Sequence, residues 1–161
     1  TVTQTLEMAS FDPRARGISF ATELAPDLPP ARASADDVSQ IVLNLLLNAL
    51  DAMSSKLGPP SERPPAPRLA HATAGQPPHI TVRTWASADL VFVEVRDRGP
   101  GIARDQIARI FEPFYSTKSA GRGTGLGLFV SAEIVRDLGG ALDVDSVPGE
   151  GARFTLSLPR A

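Results

Sequence analysis

The sequence predicts a two-layer α/β sandwich, an α+β arrangement whose mixed, largely antiparallel sheet carries its helices on one face. Three observations lead there. Residues 35–56 and 125–138 repeat apolar side chains at helical spacing, two pairs of short alternating segments are joined by tight turns, and helical and extended segments interleave along the chain. At 161 residues the chain is about one domain long, enough to cover a sheet and bury a continuous core. Residues 1–161 are therefore read as a single domain.

The elements follow in order. Residues 2–9 hold small and apolar side chains and predict a short helix, which Phe11-Asp12-Pro13 breaks; residues 17–24 then alternate like a strand. Ser34, three positions before Asp37, opens the first long helix in the manner of a capping box, with Val38, Ile41, Val42, Leu45, Leu46, Ala49 and Met53 as its apolar stripe. Between 57 and 79, seven prolines and two glycines bar both a continued helix and a central strand, so this insertion reads as an exposed, mobile loop. Residues 80–85 and 90–97 form an antiparallel hairpin around Ser87-Ala88-Asp89. The second long helix, 125–138, stops at Gly139-Gly140, and two closing strands, 141–147 and 152–158, meet at Pro148-Gly149.

Composition narrows the function classes. A formal charge of −2 is too small to drive binding to nucleic acid or to a membrane surface. The absence of cysteine removes disulfides and thiolate metal sites, and accords with a reducing compartment. The longest apolar run, 41–47, is broken by Asn44 and is far too short to span a bilayer, and no signal peptide is legible. Because it opens mid-pattern at Thr1 without an initiator methionine, the chain reads as a piece excised from a longer protein.

Four constellations carry chemistry. Gln40, Asn44, Asn48 and Asp51 recur at intervals of four, four and three, a polar stripe along an otherwise apolar helix. A solvated face would explain it; so would an amide oxygen offered to a hard cation such as magnesium. Asp97-Arg98-Gly99-Pro100-Gly101-Ile102 directly follows a strand, where its glycines let the backbone approach a flat ligand and the carboxylate can accept from an exocyclic amine such as that of adenine; a simple Asp-Gly turn would leave the same residues. Gly121-Arg122-Gly123-Thr124-Gly125-Leu126-Gly127-Leu128 leads into a helix and can turn unpaired backbone N–H groups toward an anion, though a flexible loop has the same composition. It lacks the lysine of a P-loop and does not follow a first strand as a dinucleotide fingerprint does. In Phe111-Glu112-Pro113-Phe114-Tyr115-Ser116-Thr117-Lys118 the phenylalanines read as a core plug, and Lys118 as a cation able to offset phosphate charge.

In this order, Asn44-Leu-Leu-Leu-Asn48-Ala-Leu-Asp-Ala, Asp97-Arg-Gly-Pro-Gly101, Phe111-Glu-Pro-Phe-Tyr-Ser-Thr-Lys118 and Gly121-Arg-Gly-Thr-Gly-Leu-Gly127 resemble the N, G1, F and G2 boxes of sensor histidine kinases, with wording similar to the nitrogen-regulation group. Gly149-Glu-Gly-Ala-Arg-Phe154 resembles the closing segment, so the likeness runs from about residue 33 to 159. The resemblance implies the Bergerat ATP-binding fold, with ATP and Mg2+ as ligands and a lid over residues 115–123. It implies that Asn48 holds the metal, that Asn44 supports metal or phosphates, that Asp97 recognises the adenine amine, and that Gly99 and Gly101 make room for the base. Backbone groups at Gly123, Thr124, Gly125, Leu126 and Gly127 would contact phosphate, with Lys118 as a lid cation; Asn44, Asn48 and Lys118 form the implied catalytic set. Three departures stand out: Asp51 occupies a position where many members have lysine, so that contact is absent or supplied elsewhere, with Lys118 or Arg122 able to substitute; Ala152 replaces a frequent hydroxyl residue; and the proline-rich insertion is longer than the resemblance leads one to expect, with room for a partner site or for none.

The implied activity is donation of the ATP γ-phosphate to a histidine on a separate helical dimerisation domain of the same protein, with a response regulator downstream. Neither His71 nor His79 lies in the helical acidic setting such an acceptor needs. Asn44 stands where related ATPases place a water-activating glutamate, which favours phosphotransfer over hydrolysis. Two alternatives remain open: a serine kinase of the same fold acting on an anti-sigma antagonist, and a nucleotide-sensing module that transfers nothing. The expected setting is cytoplasmic, within a kinase that can be membrane-anchored, with no nucleic-acid or direct membrane contact by this domain. Because dimerisation in the family belongs to the helical domain, this chain alone is expected to sediment as a monomer at all concentrations; a concentration-dependent dimer in ultracentrifugation would contradict that.

Overall fold

The computed structural model describes residues 1–63, 77–116 and 124–161. The elements run α1 (Val2–Ser10), β1 (Phe20–Leu24), α2 (Ala35–Leu57), β2 (Ile80–Ala86), β3 (Leu90–Asp97), the single turn α3 (Arg104–Ile107), α4 (Gly127–Asp137), β4 (Ala141–Val147) and β5 (Gly151–Pro159). The strands form one sheet in the order β1-β2-β3-β5-β4, in which β1 pairs parallel to β2 and every other neighbour is antiparallel. The expected mixed, largely antiparallel sheet is therefore present.

Strand periodicity divides the sheet into an apolar and a polar face. Val82, Val95, Phe154 and Val144 stand in one row across four strands, and Thr84, Val93, Leu156 and Leu142 in the next. These rows meet α2, whose Ile41, Val42, Leu45, Leu46 and Leu50 are fully buried, while α1 packs its Leu6 and Ala9 into the same core. The opposite face alternates to polar side chains, with Arg83 paired to Glu23 at 3.6 Å and Trp85 stacked on Phe92 at 4.9 Å between centroids. That alternation is what a sheet covered on one side requires.

Local signals set the boundaries of α2. The Ser34 hydroxyl accepts from the Asp37 N–H at 3.0 Å and donates to its carboxylate at 2.7 Å, and Asp36 and Asp37 complement the helix dipole. Gly58, at φ 78°, ends the helix by donating its N–H to the Ser54 carbonyl. The cap contributes about 1 kcal/mol, whereas cutting one buried leucine to alanine costs about 2–5 kcal/mol. Capping therefore decides where α2 starts, and the buried stripe decides that it persists.

Three expectations change. The first strand begins at Phe20 rather than at residue 17, because Gly17 sits at φ 72°, outside extended geometry. The second long helix begins at Gly127, since Gly125 takes φ 66°. At the root of the proline-rich insertion Leu57, Pro59, Ser61 and Glu62 are exposed, but Arg63 is not: it is buried, donates to the carbonyls of Gly58, Arg14 and Arg16, and follows a short turn over Pro60–Glu62. Residues 64–76 of the insertion, with His71, lie outside the described residues. His79 is a structural residue at the mouth of β2; its Nδ1 accepts the Ser19 N–H at 3.0 Å, and burial, then the charges of Arg98, Arg63 and Lys56, hold its pKa below the ordinary imidazole value.

The β4–β5 turn has two glycines of different necessity. Both take positive φ, but a Cβ at Gly149 would meet open space, whereas one at Gly151 would stand 2.0 Å from the Asp97 carbonyl oxygen. Gly149→Ala is expected to cost about 1–2 kcal/mol, the left-handed penalty alone, and Gly151→Ala distinctly more. Equal losses in chemical denaturation would refute that close approach.

Candidate functional site

The site is built on the C-terminal end of β3, the middle and last turns of α2 and the first turn of α4. Asn44 and Asn48 are one turn apart on α2, and the amide nitrogen of Asn44 donates to the Gly127 carbonyl at 3.2 Å and to Ser131 Oγ at 3.0 Å. Asn44 thereby fastens α2 to the start of α4. Asn48 is half-buried on the same wall, and its amide has no hydrogen-bond partner among the described residues. Further along α2, Ser54 Oγ is the buried side-chain polar atom left without a partner among the described residues, again on the cavity wall.

Asp97 ends β3 and is only 3% exposed. Its Oδ1 accepts from the Gly99 N–H at 2.8 Å and, more weakly, from the Ala152 N–H at 3.4 Å. Burial pushes the Asp97 carboxyl up in pKa, against the pull of those two N–H groups and of Lys56. Gly99 cannot be replaced without movement: a Cβ there would stand 2.7 Å from Asp97 Oδ1 and 2.8 Å from the Ala52 Cβ. At Gly101, φ is 73° and a Cβ would lie 2.3 Å from the Val147 carbonyl oxygen. In both cases the neighbour that excludes a side chain is protein.

The start of α4 has no side-chain cap; its first helical bond runs from the Val130 N–H to the Leu126 carbonyl at 2.8 Å, which leaves the N–H groups of Gly127, Leu128 and Phe129 without a partner within the helix, and Gly127 and Leu128 line the cavity beside Asn44. The Gly125 carbonyl accepts from the Phe114 N–H at 3.1 Å, and a Cβ on Gly125 would strike the Phe114 backbone at 2.6 Å. This contact corrects one expectation. Phe111 packs partly buried against the core, but Phe114 is not a core plug: it takes φ 63° and is 76% exposed, because the backbone turned to meet Gly125 points the ring outward.

A cavity of about 1140 Å³ joins these parts. Asn44, Asn48, Asp97, Gly101, Thr124, Gly125 and Gly127 line it, whereas Gly99 and Leu126 stand behind the lining. Lys118 and Gly123, with Arg122 and most of the expected lid, lie outside the described residues. Arg14 also lines the cavity, donating from Nη1 to Asp51 at 2.6 Å and from Nε and Nη2 to Asp12. No motif signals Arg14, which meets Asp51 across 37 positions of sequence.

Residues 33–161 match the family model described as histidine kinase-, DNA gyrase B- and HSP90-like ATPase. The chain belongs to that family. Among its ATPase-family relatives, the sensor histidine kinase ZraS of Escherichia coli O157:H7 is 37% identical over 98% of this chain and the sensor kinase CckA of Brucella abortus 38% over 90%. The two-component sensor PprA of Pseudomonas aeruginosa is 42% identical over 81%. The chain spans 30%, 15% and 12% of those three proteins. The structure of full-length ShkA in complex with AMPPNP superposes with a TM-score of 0.73 at 28% identity, over 99% of this chain and 29% of that one. The mycobacterial sensor histidine kinase MprB, at 23% identity and a TM-score of 0.69 over 98% of this chain and 93% of that one, shares the fold.

Asp97 gives a test in which stability and binding move oppositely. Its raised pKa means that the folded chain takes up a proton at a pH where the unfolded chain has already lost it, so ionisation costs stability at neutral pH and the cost fades as pH falls through the raised value. Asp97→Asn, which cannot ionise, is expected to melt above the parent at neutral pH, with the gap closing in acid. The same variant should lose roughly 10- to 100-fold in ATP affinity, the worth of a hydrogen bond to a charged acceptor. A variant that melts lower at neutral pH would show that the buried charge is not the burden described.

Proposed function

We propose that this chain is the ATP-binding catalytic domain of a two-component sensor histidine kinase, which donates the γ-phosphate of ATP to a histidine on a helical domain elsewhere in the same protein. The observation that carries the reading is one cavity lined by a buried strand-end carboxylate, the Asn48 amide, which is unpartnered among the described residues, and the first turn of α4. Asp97 suits an exocyclic amine, since an ionised carboxylate is acceptor-only and one of its oxygens takes both backbone hydrogen bonds. The first turn of α4, with Thr124, Gly125 and Gly127 on its approach, suits an anion. Gly123 and Lys118 extend that role to the lid.

Magnesium fits the donors present. Among the described residues no group of three or more His, Cys, Asp or Glu could cage a metal, but Asn48 offers an amide oxygen to a hard cation that keeps several waters and takes its other ligands from phosphate. When bound, the ion would neutralise charge on the triphosphate. Asn44 acts on the protein side by holding α4 against α2, which keeps the phosphate-facing turn in place during transfer. In the transfer an acceptor imidazole nitrogen bonds to the γ-phosphorus as the bond to the bridging oxygen breaks, releasing ADP.

No helix among the described residues is long and apolar enough to cross a membrane. Because its ligand is ATP, the reading assigns this domain to the cytoplasmic, ATP-supplied side of a kinase whose other parts sense the signal, with a response regulator receiving the phosphate. Labelling the full-length protein with γ-labelled ATP tests this: phosphate lost in acid but kept in base marks phosphohistidine. Acid-stable label would transfer the reading to a serine kinase, and ATP binding without labelling to a sensing module. In calorimetry on the domain, Asn48→Ala is expected to bind ATP with an affinity that no longer rises on adding magnesium; an unchanged magnesium response would remove Asn48 from the metal site.

A further inference from the structure

We propose that Arg14 is a phosphate-contacting residue of this site, a cation delivered to the α2 wall from the segment that follows α1. The inference rests on the ATP reading above and adds a residue to it. Of the charged groups lining the cavity among the described residues, Asp51 and Asp97 are acidic and Arg14 is the one cation. A triphosphate entering between two carboxylates meets repulsion from both; the guanidinium, paired with Asp12 and Asp51, screens the Asp51 side and offers its spare N–H donors to phosphate oxygens. Asp51 lies one helical turn beyond Asn48, so the Nη1 that touches Asp51 at 2.6 Å stands beside the wall that offers the Asn48 amide.

The guanidinium is held in place before any ligand arrives. Asp12 takes Nε at 2.8 Å and Nη2 at 2.7 Å in a bidentate pair, Asp51 takes Nη1, and the Arg14 carbonyl accepts from Arg63 Nη1 at 2.8 Å. Asp12 also caps the short turn Pro13–Ala15 by accepting the Arg14 N–H. An arginine side chain has about 2 kcal/mol of rotamer entropy to lose on being ordered, and here that loss falls on folding rather than on binding. The fork is not exhausted by these bonds: each Nη keeps a second N–H, and the side chain remains 34% exposed. A planar fork with spare donors at a cavity wall is the chemistry that recognises phosphate oxygens.

The plain alternative is a clasp that ties the segment after α1 to α2 and touches no ligand. The two roles part when the ligand is varied. In calorimetry on this chain, Arg14→Gln is expected to weaken ATP roughly 10-fold or more, the effect of losing a charge-assisted hydrogen bond, while adenosine binding stays as in the parent. The double variant Arg14→Gln/Asp51→Lys, which moves the cation onto α2, is expected to recover most of the ATP affinity. Parallel losses for ATP and adenosine, or an ATP affinity that Arg14→Gln leaves unchanged, would overturn the proposal. So would a double variant that regains the parent melting temperature but not its ATP affinity. If Arg14→Gln alone melts too low to titrate, Arg14→Lys and the double variant carry the same ATP-against-adenosine contrast. A folded parent chain that binds neither ligand would instead sink the ATP reading itself.

Discussion

A carboxylate that is 3% exposed, with only backbone N–H groups as hydrogen-bond partners among the described residues, is an expensive thing to bury, and β3 ends in one. Several features on the cavity side of the sheet follow from keeping Asp97 there. Gly99 must lack a side chain so that its N–H can fold back onto Oδ1 beneath α2, and Gly151 must lack one so that the β4–β5 turn can pass over the Asp97 carbonyl and bring the Ala152 N–H within reach. The Gly149 N–H then donates to the Pro100 carbonyl at 2.7 Å, which ties the glycine turn after β3 to the same closing hairpin. The ionised form is disfavoured by its surroundings, and the shape around it is maintained by glycines that serve no other visible packing role. Such a cost in the free chain is reasonable where a ligand's donor meets the charge in the bound one.

Helix α2 meets a second demand at the same time. One stripe of seven buried side chains, from Ile41 to Met53, supplies the core, and the other stripe supplies Asn44, Asn48 and Asp51 to the cavity. Because the apolar stripe fixes the helix's rotation on the sheet, it also fixes where those polar groups point. The Asn44 bridge to Gly127 and Ser131 extends that control to α4, tying the two walls of the cavity to each other. The family to which the chain belongs takes in histidine kinase-, gyrase B- and HSP90-like ATPases, so the fold alone does not say what a member does; the residues carried on it do.

Most of the architecture was legible because its signals are local. The Ser34 cap, the 3.6-residue stripe of α2, the alternation in β2 and β3 and the Pro148-Gly149 turn each depend on residues within a few positions of one another, and each reappears with a shift of a residue or two. Ordered motifs likewise marked most of the cavity lining. What escaped were contacts between distant parts of the chain. Phe114 reads as core from its apolar side chain, yet its backbone is turned outward by a hydrogen bond to Gly125. Arg63 reads as part of a loose insertion, yet it is buried and donates to the carbonyls of Arg14 and Arg16 in the distant segment after α1, as well as to Gly58 nearby.

The sequence by itself determined the order of elements, the face α2 buries and the residue types gathered at the site, since periodicity and capping act over one or two turns of backbone; α4 instead buries Ser131 beside Val135, which no apolar stripe announces. Tertiary structure decided which side chains the glycines must make way for, and it alone brought Arg14 across 37 positions to Asp51. The physical reason is that a charge pair or a sub-van der Waals approach depends on where two separately specified segments come to rest. That position is set by packing the whole core, and no short stretch of sequence contains it.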